Sequence, residues 1–279
     1  MSDILRFGLI GAAGGRYMFG TPECPVRLAR TPTGLRGAPF EAAYQQHSRQ
    51  AGETFKSRRF KRGTVGLEVF IGRRGHTGAQ ARRIEEQWHA DLGNTETTCR
   101  FVVVSSESGY RWRDLRLQSP LEPADWGKPG LIGQNAEQVA LASDDAMWTH
   151  PPMNRLFDRT QFSGAQIVND GDQPAWLTWT LGGETSGWSI GVDGETIPLP
   201  GTGEGEVIKI YTDPEFPTIT NQDGDDLYEQ PGMSDKVFYK PLPPGGPLAA
   251  PTPLTINASS PGEDAQVLVE WQPRSRAAW

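Results

Sequence analysis

The sequence predicts a mainly β protein of two domains: a β domain carrying one helix, then a β-sandwich of jelly-roll type. Three observations carry that reading. Short apolar runs of strand length recur along the 279 residues, bounded by Gly, Pro, Asp and Asn turns. The 33 glycines and 23 prolines are scattered as punctuation without a period, which argues against a helical protein. One segment alone, residues 78–92, has convincing helical spacing.

Taken in order, Leu5 to Ile10 reads as a strand running into the glycine-rich turn Gly11 to Gly15. Pro22, Pro25, Pro32 and Pro39 keep residues 21–39 extended or looped. Glu41 to Arg49 is polar with little period, and Gly52 to Lys56 turns into a strand. The β-branched run Gly63 to Gly72 is a core strand. Thr77 can cap the helix, Ala81, Ile84, Trp88 and Leu92 form a narrow apolar stripe on it, and Gly93 stops it. Such a helix lies on a sheet. Thr98–Ser105 and Tyr110–Leu117 flank a Ser-Glu-Ser-Gly turn. A Pro/Gly-rich stretch, 119–133, precedes Gln134–Ala142, which reads as a strand or a short helix.

The run Trp148 to Asn154 looks like a linker, and the domains are expected at 1–165 and 166–279. In the second, strands are expected at Gln166–Asn169, Trp176–Leu181, Trp188–Val192, Glu195–Leu199, Glu206–Tyr211, Thr218–Thr220, Val237–Lys240, Leu254–Asn257 and Gln266–Gln272. Tight turns such as Asp193-Gly194 join them. Many short strands at close spacing make a sandwich.

Composition narrows the function. A formal net charge of −7 disfavours nucleic-acid binding, which needs clustered Lys and Arg. The exception is the basic run Lys56 to Arg62, whose preferred reading is a solvated strand edge or a subunit contact. Cys24 and Cys99 are too few for a disulfide scaffold and read as reduced, partly buried thiols. The start Met1 to Leu5 has no signal-peptide pattern, and no apolar run approaches membrane-span length, so a soluble protein made in a cytoplasm is expected.

Motifs with chemistry are weak. Arg6 to Arg16 suggests a dinucleotide-binding turn, but Pro22 and Pro25 arrive before the helix such a turn must feed. Asn169 to Asp172 and Asn221 to Asp226 offer oxygen ligands without the rest of a calcium loop and read as turns. The histidines (His47, His76, His89, His150) fall in no catalytic frame, and Glu85 and Glu86, adjacent on the helix, share no face as an acid/base pair would. No catalytic, cofactor-binding or metal-ligating residue is therefore expected, and no cofactor. Trp176 and Trp179 face opposite sides of one strand, so one is a core candidate and the other a candidate for sugar stacking or subunit contact.

Four phrases in order resemble one family. They are Asn169 to Trp176, Thr212-Asp213-Pro214, Tyr239 to Gly245, and the terminal Pro273 to Trp279. With the Gly-rich opening and the basic run before the helix, they resemble the distal tail proteins, or minor tail proteins, of long-tailed phages, most closely those of actinobacterial phages. The resemblance spans nearly the whole chain and is densest over 166–279. Leu177 stands where the family has a proline, and no long insertion of carbohydrate-binding type is present, which favours a structural hub over direct receptor binding.

The resemblance implies a tail-tube-like N-terminal domain and a galectin-like C-terminal sandwich. It implies a non-enzymatic virion protein at the baseplate, a homo-hexameric ring joining the tail tube to the tail tip. The partners it implies are further copies of the chain, the tail-tube protein and the tail-tip proteins, with the tape-measure protein as a further candidate. No specific nucleic acid and no membrane is implied. Arg58, Arg59, Phe60 and Arg62 are the candidate subunit-interface residues. The rival readings are a protein that binds host cell-wall glycan through exposed Trp residues and, more distantly, a glycan hydrolase.

Overall fold

A computed structural model describes residues 4–121, 131–228, 230, 233–246 and 249–279. The chain forms two compact units, Met1–Thr149 with Arg276–Trp279, and His150–Ser275. Most of the Pro/Gly-rich stretch, residues 122–130, lies outside the described residues.

The first unit contains β1 (Leu5–Ile10), β2 (Arg16–Met18), β3 (Val26–Leu28), β4 (Phe40–Gln45), β5 (Thr54–Phe60), β6 (Gly63–Gly72), α1 (Gly78–Leu92), β7 (Cys99–Ser105), β8 (Gly109–Leu117), β9 (Gln134–Ser143) and β10 (Trp148–Thr149). Seven strands run antiparallel in the order β2-β1-β7-β8-β9-β6-β3, with β10 against β8 at Thr149↔Trp112. β8 changes partner along its length, pairing with β7 through Leu115 and with β9 from Arg116. In β6 the alternation places Val65, Leu67, Val69 and Ile71 inward. Burial of each such side chain contributes about 1.5–3 kcal/mol.

The expected helix is present with both ends as read. Thr77 Oγ1 accepts from the Gln80 amide while Gln80 Oε1 accepts from the Thr77 amide, a closed capping box. Gly93 takes φ 74° at the other end, where a side chain would be strained. Trp88 is fully buried, with the Tyr17 ring edge-on at 5.0 Å.

The second unit contains β11 (Met153–Asp158), β12 (Gln166–Ile167), β13 (Leu177–Gly182), β14 (Gly187–Val192), β15 (Ile197–Pro200), β16 (Val207–Tyr211), β17 (Thr218–Asn221), β18 (Thr252–Ser259) and β19 (Gln266–Trp271). They form two antiparallel sheets, β11-β19-β13-β16-β17 and β12-β18-β14-β15. One core joins the sheets: Leu177, Trp179, Leu181, Ile210, Val267 and Val269 from the first meet Trp188, Ile190, Leu254 and Ile256 from the second. This is a β-sandwich. At the β14–β15 hairpin, Asp193 and Gly194 both have positive φ (48° and 80°), as a two-residue turn of twisted strands requires.

Several elements differ from the sequence reading. Met153 and Asn154, taken as the end of a linker, open a strand, Met153–Asp158, paired with β19 from Met153↔Trp271 to Asp158↔Gln266. The second compact unit therefore begins at His150 and not at 166. Val237–Lys240 is not a strand; Val237 and Tyr239 are exposed, and the Tyr239 amide donates to Glu195 Oε1. Glu41–Arg49 was read as unpatterned, yet β4 occupies its first half, because its pairing comes from β5 and not from its own periodicity. Gln134–Ala142 is strand and not helix.

Candidate functional site

β4 and β5 pair with each other from Phe40↔Phe60 to Gln45↔Thr54, with a bulge at Ala43/Tyr44, and belong to no other sheet among the described residues. Nearly every residue of the two strands is exposed. Three large aromatics stand in solvent, Phe40 at 58%, Tyr44 at 56% and Phe55 at 54%. They form two cross-strand rungs, Phe40–Phe60 with ring centroids 6.3 Å apart and Tyr44–Phe55 at 5.9 Å. The Arg58 guanidinium lies 4.4 Å from the Phe60 ring centroid, and Lys61 is ion-paired to Glu41. Between Phe40 and Arg62 there are six Lys or Arg and two Glu in a chain that is acidic overall. Isolated two-stranded ribbons are marginal in water, and exposed aromatics rimmed by charge mark interaction surfaces.

The four candidate interface residues all lie on or beside this ribbon but do not share a face. Alternation along β4 puts Tyr44 on the side of Phe40, and the bulge, which skips Lys56, brings Phe55 to that side with Arg58 and Phe60, whereas Arg59 lies on the other side with Glu41. Arg62 is in the connection to β6. The sequence reading missed Phe40, Tyr44 and Phe55. Their signal was the spacing of aromatics on either side of the basic run, which becomes meaningful once the hairpin register is known.

The glycine-rich opening has a structural purpose. β1 feeds β2 through a hairpin, so no helix follows the turn. The Asp91 carboxylate, at the end of α1, fills the space above it, accepting from the Gly15 amide at 2.8 Å, the Tyr17 hydroxyl at 2.7 Å and Gln87 Nε2 at 2.9 Å. A Cβ on Gly11 or Gly15 would lie 2.2 or 2.0 Å from that side chain. Burial alone would raise the Asp91 pKa, but the bonds from Gln87, Tyr17 and Gly15 outweigh it and hold the carboxyl below the ordinary carboxylate range.

In the second unit the family-like phrases meet one another. Buried Asn169 donates to the carbonyls of Gln173 (2.8 Å) and Pro243 (3.1 Å) and accepts from the Gly171 amide (2.9 Å). Ala175 and Leu242 exchange backbone bonds, and the Gln173 amide donates to Arg274 O. Thr212 Oγ1 donates to Leu177 O and accepts from the Leu177 amide. These residues hold the sandwich together. The other acidic segment is also a turn, with Asn221 Oδ1 accepting from the amides of Asp223 and Asp225. Trp179, Trp188 and Trp271 are buried and Trp176 is half-buried, so none of this unit's described tryptophans presents a fully open ring for sugar stacking.

One titratable cluster was not foreseen. Glu85 and His89, one turn apart on α1, meet Glu137 of β9, with His89 Nε2 2.7 Å from Glu137 Oε1. The hydrogen bond to Glu137 raises the His89 pKa above its ordinary value. Spacing shows the first pair, but Glu137 comes from a strand 48 residues further on.

No protein-family model matches the chain, and no curated protein is similar to it in sequence. Solved structures are similar. The crystal structure of Dit from phage SPP1, described as a paradigm of hub adsorption apparatus in phages infecting Gram-positive hosts, superposes with a TM-score of 0.64. The match covers 96% of this chain and 98% of that one at 12% identity. The chain has the Dit fold. A chain of the phage P2 baseplate in its activated conformation matches with a TM-score of 0.52 both with Ca (11% identity) and with Sr (10%), each covering 98% of that chain.

Proposed function

We propose that the protein is a structural component of a long-tailed phage virion, a distal tail protein that closes into a ring between the tail tube and the tail tip. The observation that carries this reading is the likeness to the SPP1 Dit hub over essentially the full length of both chains, both compact units included. The four ordered phrases between Asn169 and Trp279 support it independently. The β4–β5 ribbon supplies the assembly surface: aromatic rungs and arginines at the centre, outer edges that pair with no other described strand, and a basic balance set against an acidic remainder. Contacts between unlike surfaces of identical chains close into a ring when their rotation closes. In this reading the ring is a homo-hexamer, its neighbours are the tail-tube, tail-tip and tape-measure proteins, and no enzymatic step is involved.

The test is the solution mass of the purified protein by chromatography with light scattering, followed by negative-stain imaging, alone and with the phage's tail-tube protein. A hexameric ring with a central channel is expected. Charge reversal of Arg58, Arg59 and Arg62 together should abolish it. A protein that stays monomeric under both conditions, and whose tryptophan fluorescence shifts with cell-wall glycan, would replace this reading with the carbohydrate-binding one.

A further inference from the structure

We propose that Glu85, His89 and Glu137 form a binding site for one divalent transition-metal ion of the zinc class, which clamps helix α1 to strand β9. The site lies outside the ribbon and the second unit, and it does not depend on the tail-protein reading.

One potential ligand atom from each side chain lies within 4.8 Å of the other two. Zinc bonds to imidazole nitrogen and carboxylate oxygen are about 2.0–2.2 Å, so donors around one ion sit roughly 3–4 Å apart. Small side-chain adjustments therefore close the site without moving backbone. Two donors come from one face of a helix at i and i+4, the third from a strand, and both supports are regular elements.

The second observation is Glu137 itself. Its side chain is 2% exposed, and it sits in the inward row of β9 with Val139 and Leu141. Its Oε1 meets His89, while its Oε2 has no hydrogen-bond partner. Buried carboxylates are rare unless paired, and an unused buried acceptor is costly. An ion pair with His89 accounts for one oxygen. It leaves the other unused, with a second carboxylate, Glu85, held by Asn135 at the same point. A dication satisfies both carboxylates at once.

The surroundings suit a metal. Asn135, two residues before Glu137 on the same inward row, donates from Nδ2 to Glu85 Oε1 at 2.8 Å and so orients that ligand. His89 keeps 38% of its side chain exposed, which leaves a route from solvent and room for water in the remaining coordination position. One imidazole and two carboxylates form a donor set for zinc-like ions; calcium takes six to eight oxygens, and magnesium keeps an octahedron of oxygen and water.

The experiment uses the full-length protein stripped with chelator and titrated with Zn²⁺ by calorimetry and with Co²⁺ by visible absorption. One equivalent per chain is expected, with cobalt giving the ligand-field bands of a four- or five-coordinate nitrogen/oxygen site. His89→Gln and Glu85→Gln should each weaken binding by at least ~100-fold, and the positioning variant Asn135→Ala by ~10–100-fold. Glu85 and His89 are only half-buried, so these variants should keep the parent circular dichroism. The absence of a saturable single equivalent, or an affinity unchanged in both His89→Gln and Glu85→Gln, overturns the site. An equal rise in melting temperature with Ca²⁺ or Mg²⁺ at matched concentration overturns the metal class.

Discussion

Asn169→Ala tests whether the phrases that resemble the distal tail family are structural. The side chain is 2% exposed and makes three hydrogen bonds, donating to Gln173 O and Pro243 O and accepting from Gly171 N. Each buried bond contributes about 1 kcal/mol net, so truncation removes about 3 kcal/mol. Water cannot easily replace the amide, because Gly171 is packed so tightly that a Cβ there would lie 2.4 Å from Arg274 O. Each backbone group left without a partner adds a desolvation cost of about 1–3 kcal/mol, so 3 kcal/mol is a lower figure. Against a typical domain stability of about 5–15 kcal/mol, the loss is large.

The assay is urea unfolding followed by the fluorescence of the sandwich tryptophans, Trp179 and Trp188, with circular dichroism as the second probe. At an m-value of about 2 kcal/mol/M, the midpoint should fall by about 1.5 M. Asp170→Ala is the control: its neighbouring side chain is exposed and should change stability by less than about 0.5 kcal/mol. If Asn169→Ala also stays within about 0.5 kcal/mol of the parent, the hydrogen-bonded knot is not what holds these segments together.

Gly11→Ala drives a methyl group into Asp91 and should destabilise the first unit by about 1–3 kcal/mol in thermal unfolding, whereas a nucleotide-binding loop would show no such stability loss. The thiols should not react with a disulfide reagent near pH 8 in the native protein and should both react in urea. Cys99 is buried, with its pKa pushed up to about 12, and burial raises Cys24 as well, so rapid native labelling would contradict the structure. Tyr44→Ser with Phe55→Ser should leave the melting temperature of the first unit nearly unchanged but remove assembly, read by light scattering; retained rings would exclude this ribbon face from the contact.

What could be read from sequence was what neighbouring residues decide. Helix α1 announces itself within fifteen residues, since the cap, stripe and stop all sit in the segment. The core strands β6, β7, β13 and β14 carry runs of β-branched, aromatic or leucine residues, and the Asp193-Gly194 turn needs only its own φ values. The elements missed are those whose reason lies elsewhere in the chain. β11 is half-exposed and mixed in composition, and it is a strand because β19 offers it an edge. β4 exists because β5 does. Val237–Lys240 failed in the opposite sense: its residues suit a strand, but no strand among the described residues pairs with it.

The candidate sites divide along the same line. The basic run was visible as charge, but its meaning depends on a register that brings Phe40 opposite Phe60 and Tyr44 opposite Phe55. The metal cluster was half-visible, because Glu85 and His89 are one helical turn apart. The missing half was also local, though of a kind that hydrophobic counting discards. In β9 the inward row reads Asn135, Glu137, Val139, Leu141: two polar residues occupy positions that the alternation assigns to the core. A strand tolerates that only if something opposite satisfies them, and what lies opposite is the polar flank of α1. Polar residues in phase with a buried row are thus a sequence-level pointer to chemistry, stronger here than the glycine motif, which resolved into a seat for one aspartate.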